Sequence, residues 1–115
     1  MRFICQILKV RFFDRKENGV KIELKCLDHD DNETIILYFF TDDPLPDQLK
    51  QSNKYSELFL NNDLSKWLGQ AVKKKFGEVV KMTPGQDIMV FAKAPKIRKV
   101  AYSQEYVIKK FKRIN

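Results

Sequence analysis

Apolar and polar residues alternate with a period of two along much of the first third of the chain, which predicts β-strands. The alternation is cleanest over residues 20–27, whose apolar face is formed by Val20, Ile22, Leu24 and Cys26 and whose charged face is formed by Lys21, Glu23 and Lys25. Such a strand has one face in the core and the other in water or against a partner.

Two further strands are predicted on either side of this one. Residues 2–13 carry bulky groups on both faces, with Phe3, Cys5 and Ile7 on one and Ile4, Leu8, Val10 and Phe12 on the other. Residues 34–40 are also apolar on both faces, which is typical of a central strand. Polar turns at residues 14–19 and 28–33, the first ending in an Asn-Gly pair, join the three strands into a meander.

The apolar period changes after residue 62 to three and four residues, which predicts a helix over about residues 63–80, capped by Asn62 or Asp63. Its apolar stripe consists of Leu64, Trp67, Leu68, Ala71, Val72, Phe76, Val79 and Val80. Gly77 is a residue that can end it early. Segment 41–62 is broken by prolines, and short helical turns are predicted at residues 48–51 and 55–60. Strands at residues 87–93 and 106–114 complete the order β-β-β-α-β-β.

Length and composition predict a single domain over residues 1–115, because 115 residues with 43% apolar content can bury one core and not two. Cys5 and Cys26 fit no metal spacing and are predicted to be reduced core thiols, although they could also face each other on paired strands.

The net charge of +7 is distributed unevenly. Residues 14–63 carry 12 acidic and 6 basic side chains, whereas residues 64–115 carry 3 acidic and 13 basic ones. A one-sided positive field attracts polyanions and makes their binding dependent on salt.

Catalytic chemistry finds little support in the sequence. His29 is the one histidine and lies in an acidic turn, and neither a glycine-rich phosphate loop nor a glycine-flanked serine is present. We therefore expect a binding module without enzymatic activity, cofactor or metal, and we expect His29 to be solvated.

The element order resembles the OB fold, a five-stranded barrel with a helix between strands three and four. Three features are similar to OB domains of replication protein A and telomere end-binding proteins. They are an alternating strand, an acidic turn and an apolar strand over residues 20–40, a turn at residues 84–88 that starts the fourth strand, and an alternating final strand. This resemblance implies an all-β, five-stranded OB barrel with one main helix. The chain lacks the usual glycine in strand one, and its segment 41–62 suggests an extra element beside the helix.

The resemblance also implies a function, the binding of single-stranded nucleic acid in replication, repair or telomere maintenance, with DNA favoured over RNA. The nucleic acid would lie across β-strands two and three. It would be held between two loops, one joining β-strands one and two and the other joining β-strands four and five. The expected outer face of strand three is Thr34, Ile36, Tyr38 and Phe40. The candidate site residues are Lys9, Arg11, Phe13, Lys21, Lys25, Tyr38, Lys96, Arg98, Lys99 and Tyr102. The chain is expected to be intracellular, and nuclear if it is eukaryotic.

One competing interpretation stays open. Glu23 lies in the middle of the expected binding face and acidic turns flank it, so the barrel could instead be a structural subunit that assembles with other proteins in a replication or telomere complex. An exposed apolar stripe on the helix would favour assembly, whereas aromatic rings among cations would favour nucleic acid. Trp67 is predicted to be core, and the run Lys73–Lys75 a solvated helix face.

Overall fold

The computed structural model describes residues 1–45, 56–57, 62–78, 80, 82–95 and 104–114. Its elements are β1 (Arg2–Asp14), a short 3-10 turn (Lys16–Asn18), β2 (Val20–Asp28), β3 (Thr34–Thr41), β4 (Ser56–Glu57), α1 (Asn62–Phe76), β5 (Asp87–Lys93) and β6 (Glu105–Lys112). The chain is therefore mostly β with one helix in the part that the structure describes. The predicted element order is confirmed, apart from the short β4.

Five of the described strands form one sheet that closes into a ring. β1 pairs with β2 and β2 pairs with β3, both antiparallel. β3 then pairs with β6 in parallel, β6 pairs with β5, and β5 returns to β1. Because β1 is long, its first residues pair with β5, and most of its length pairs with β2.

The extra strand β4 corrects one prediction in segment 41–62. Ser56 pairs with Phe12 and Glu57 pairs with Arg11, so these two residues extend the sheet from the far end of β1. The helical turn predicted at residues 55–60 is therefore wrong at residues 56–57. The turn predicted at residues 48–51 lies outside the described residues.

A β-bulge resolves the two-faced apolar pattern of β1. The pairing of β1 with β2 shifts between Ile7 and Lys9, and Leu8 is exposed. The extra residue reverses the alternation, so all five buried side chains of β1 face the ring interior: Phe3, Cys5, Ile7, Val10 and Phe12. The assignment of Val10 and Phe12 to a face opposite Phe3 was therefore wrong. A bulge also bends a strand, which supplies the curvature that a glycine would otherwise allow.

The turn before β5 contacts β1 at this bulge. The Gly85 amide donates to the Ile7 carbonyl at 2.7 Å, and the Ile7 amide donates to the Gln86 carbonyl at 2.9 Å. Gly85 has a φ of 91°, a conformation that side-chain-bearing residues rarely adopt. The turn predicted at residues 84–88 thus also supplies hydrogen-bond partners for the Ile7 backbone, where the pairing of β1 with β2 is irregular.

Helix α1 closes one end of the ring. Phe76 contacts Phe39 of β3 and Phe111 of β6, with ring centroids 5.2 and 5.0 Å away, and Trp67 meets Phe12 of β1 at 5.8 Å. The Trp67 indole also donates to the Pro44 carbonyl at 3.1 Å. Trp67 is therefore packed against the core, as predicted.

The helix ends at Phe76 rather than near residue 80. Gly77 adopts a φ of 73°, and its amide donates to the Lys73 carbonyl at 2.8 Å. This left-handed C-terminal cap explains why the apolar stripe outlasts the helix. No helix in the described parts of the chain is both long and apolar enough to cross a membrane.

We expect Gly19→Ala to destabilise the fold by at least about 3 kcal/mol. Gly19 has φ 82° and ψ −149°, and an added Cβ would lie 2.0 Å from the Thr41 carbonyl oxygen. Urea unfolding followed by tryptophan emission would measure the loss. The matched control is Gly69→Ala inside α1, where an added Cβ meets no atom within 4 Å and a gain of about 0.5–1 kcal/mol is expected. Equal midpoints for Gly19→Ala and wild type would contradict the described turn.

Candidate nucleic-acid interface

The outward side chains of β1, β2 and β3 lie in three rows across the sheet. Strand register aligns the rows Lys9–Lys25–Ile36, Arg11–Glu23–Tyr38 and Phe13–Lys21–Phe40. The opposite sides of β2 and β3 are buried in the core, with Ile22, Leu24, Ile35, Leu37 and Phe39 among the buried residues. The outer face predicted for strand three is therefore confirmed. We call these nine residues the three-strand face.

Cations and aromatic rings are interleaved on the three-strand face. The Lys21 ammonium lies 4.5 Å from the centre of the Tyr38 ring and 5.6 Å from that of Phe13. At the end of the third row, the Arg15 guanidinium lies 4.6 Å from the centre of the Phe40 ring. Contacts of this kind hold a cation beside a ring through the negative potential of the ring face. The face thus presents positive charge and flat apolar surface within one sheet.

Glu23 is the one acid among these nine residues, and it sits low in the face with 7% of its surface exposed. Its carboxylate lies 3.6 Å from the Lys21 ammonium and 3.9 Å from the Arg11 guanidinium. Both cations are partly exposed. Two cations therefore surround the negative charge and offset much of its repulsion toward a phosphate.

Tyr38 lies on the predicted face but is more deeply buried than a stacking platform needs to be. Its exposure is 8%, Lys21 lies over its ring, and Phe40 meets it edge-on at 5.7 Å. Burial, and to a smaller extent the charge of Glu105, raises the pKa of its phenol. Phe13 and Phe40 are half-buried and so leave more ring surface accessible than Tyr38, although Lys21 and Arg15 lie over their rings as well.

The structure brings together six of the ten predicted site residues: Lys9, Arg11, Phe13, Lys21, Lys25 and Tyr38. The other four, Lys96, Arg98, Lys99 and Tyr102, lie outside the described residues. Arg15 and Phe40 were not among the predicted site residues. Phe40 follows Tyr38 by two positions, so alternation alone identifies its face, whereas no sequence signal pairs Arg15 with it.

The lysine run at the end of α1 is partly bound to the loop that follows β3. The Lys74 ammonium lies 2.9 Å from the Asp43 carboxylate, and this hydrogen bond raises the pKa of Lys74. Lys75 donates to the Phe40 carbonyl, and burial lowers its pKa. These two lysines therefore join the helix to the ring, but all three lysines of the run are exposed, so the predicted solvated helix face is confirmed.

The remaining chemistry-bearing residues have structural partners. His29 is exposed, as expected of a solvated turn, and its imidazole also lies 2.9 Å from the Asp87 carboxylate, a contact between the β2–β3 turn and β5 that the sequence did not predict. Cys5 and Cys26 are buried free thiols, and a hydrogen bond with Cys5, together with burial, raises the pKa of Cys26. Among the described residues no group of three or more His, Cys, Asp or Glu side chains could hold a metal ion.

Large exposed apolar side chains within the described residues are confined to Met1, Leu8 and Ile114. The apolar residues Leu68, Ala71 and Val72 of α1 are buried. The described side chains of the helix therefore form no exposed apolar stripe. Comparison with family models, with curated proteins and with solved structures finds no match, so the geometry of the chain itself must support a functional conclusion.

Proposed function

We propose that the ring is an OB-type barrel and that it binds single-stranded nucleic acid on the three-strand face. The order of strands around the ring, the parallel pairing of β3 with β6, and the helix that closes one end support this proposal. OB folds bind oligonucleotides on the face of their second and third strands, which correspond to β2 and β3 here.

The observation that carries the proposal is the interleaving of cations and rings on the three-strand face. Lys9, Arg11, Lys21 and Lys25 supply positive charge to meet phosphates, while Phe13 and Phe40 supply faces on which bases stack. A duplex keeps its bases stacked on one another, so rings on which bases can stack favour a single strand. DNA is the favoured strand because the resemblance to replication and telomere domains implies it.

Fluorescence anisotropy with a labelled mixed-sequence single-stranded DNA tests this proposal. We expect log affinity to fall linearly with log salt, by about 0.7 for each phosphate contacted. The same DNA in a duplex should bind more weakly, because its paired bases cannot stack on the aromatic rings. An RNA of the same sequence, measured in the same way, shows whether DNA is favoured over RNA. Absence of salt-dependent binding, or equal affinity for the duplex, would contradict the proposal.

We expect Glu23→Gln to tighten single-strand binding at low salt by about threefold to fivefold. Removing a negative charge near a phosphate is worth about 1 kcal/mol at 4 Å in water, and glutamine keeps the size of the Glu23 side chain while it releases Lys21 and Arg11 from their ion pairs. The gain in single-strand affinity should therefore appear at low salt and should vanish at high salt, where the charge of Glu23 is screened. Weaker binding by the variant would show instead that Glu23 positions Arg11 and Lys21.

A further inference from the structure

A second sheet face lies on the other half of β1, together with β5 and β6. Strand register aligns two rows across it, Arg2–Phe91–Lys110 and Ile4–Met89–Lys112. The neighbouring side chains Phe3, Val90 and Phe111 are buried in the ring, so the six residues point outward. We call these six residues the β5 face.

The β5 face has an apolar centre and positive edges. Ile4, Met89 and Phe91 are half-buried, while Arg2, Lys110 and Lys112 are exposed. Three of the six residues are basic and none is acidic. The Lys112 ammonium lies 5.4 Å from the centre of the Phe91 ring and so extends over the apolar centre. A partner that matches this face needs negative charge on both sides of apolar groups.

An open cleft of about 380 Å³ adjoins the face at Lys112. Its lining includes the apolar residues Val80, Ile88 and Ile114, and Ile114 is 48% exposed. Glu78 and Asp87 also line the cleft, and Glu78 lies 3.9 Å from Arg113. Two basic residues, Lys112 and Arg113, balance these two acids, so the cleft favours neither sign of charge and can take an uncharged apolar side chain against Val80 and Ile114.

The β5 face and the three-strand face are separate surfaces. Arg2 and Ile4 precede the bulge of β1 and are aligned with β5, whereas Lys9, Arg11 and Phe13 follow it and are aligned with β2. The first set lies beside Phe91 and Met89 and the second beside Lys25, Glu23 and Lys21. One molecule can therefore engage a partner on each face.

We propose that the β5 face docks an acidic peptide segment of a partner protein, in which Asp and Glu residues flank apolar side chains. Aliphatic Ile4 and Met89 suit apolar side chains better than bases. Only one of the six residues, Phe91, carries an aromatic ring, whereas the three-strand face carries three. Acidic residues of the partner meet Arg2, Lys110 and Lys112, and an apolar residue enters the adjoining cleft. This interaction goes beyond the proposed binding of nucleic acid and does not depend on it.

The test uses a labelled synthetic peptide in which Glu and Asp alternate with Leu and Phe. We expect it to bind the whole chain with a dissociation constant on the order of 10 μM at low salt. Peptides with Gln and Asn in place of the acids, or Ser in place of the apolar residues, should bind at least about tenfold more weakly. Amide shifts in nuclear magnetic resonance spectra should fall on the β5 face.

Charge reversal supplies the matched control. Lys110→Glu with Lys112→Glu should weaken peptide binding at least about tenfold, whereas Lys66→Glu with Lys73→Glu, on exposed helix positions with the same change in net charge, should change it less than about twofold. Equal losses in both pairs, or no peptide binding, would overturn the proposal. Displacement of the peptide from the β5 face by single-stranded DNA would also overturn it. Self-association of the chain that Lys110→Glu with Lys112→Glu abolishes would overturn it too, because the occupant of the face would then be a second copy.

Discussion

Replacing Lys21 and Lys25 with methionine is expected to weaken single-stranded DNA binding by about 10- to 100-fold at low salt. The magnitude of the slope of log affinity against log salt should fall by about 1.4, because each phosphate contact on a single strand contributes about 0.7. Anisotropy titrations at several salt concentrations measure both quantities. Both lysines lie on β2, in the middle column of the three-strand face.

Methionine is the informative replacement because it keeps most of the apolar stem. Lys21 contacts the Phe13 and Tyr38 rings, so a shorter side chain would also remove packing. The control is Lys66→Met with Lys73→Met, which removes the same charge from exposed positions on α1. If the two pairs lose the same affinity and slope, net charge explains the binding and the three-strand face does not.

Phe39→Ala is expected to reduce the free energy of unfolding by about 3–5 kcal/mol. Phe39 is 1% exposed, and its ring meets Phe76 of α1 at 5.2 Å and Phe111 of β6 at 6.4 Å. Its loss would leave a cavity where the helix closes the ring. Urea unfolding followed by emission of Trp67, the single tryptophan, reports on this end of the ring.

The neighbouring phenylalanine provides the control for this prediction. Phe40 lies one position further along β3 but on the outer face, where it is half-buried. Phe40→Ala should cost less than half as much as Phe39→Ala, because solvent can fill the space that it leaves. Equal costs would contradict the described alternation of β3.

Much of the fold could be predicted because alternation and helical periodicity follow directly from burial. The clean pattern of β2 and the stripe of α1 needed no tertiary information. The bulge of β1 could not be predicted in this way, because two runs of opposite phase resemble a strand that is covered on both faces. The end of α1 was predicted too late by the apolar stripe, which continues through Val79 and Val80, whereas the early end predicted at Gly77 is confirmed.

The candidate site could be predicted only as a set of outward positions. Charged residues at alternate positions identify which side chains of β1 and β2 share a face. Alternation does not say that Lys21 lies over the Tyr38 ring or that Glu23 is enclosed by two cations, because these contacts depend on register and side-chain conformation. The pairing of His29 with Asp87 joins residues 58 positions apart, which no local pattern connects.

Mapping amide shifts of the isotope-labelled protein on addition of single-stranded DNA tests whether the nucleic acid binds on the three-strand face. We expect the largest shifts on the three-strand face, on β1 after its bulge and on Lys21, Lys25 and Phe40. The β5 face should shift little. Shifts concentrated on Arg2, Met89, Phe91 and Lys110, or no shifts at all, would contradict the assignment of nucleic-acid binding to the three-strand face.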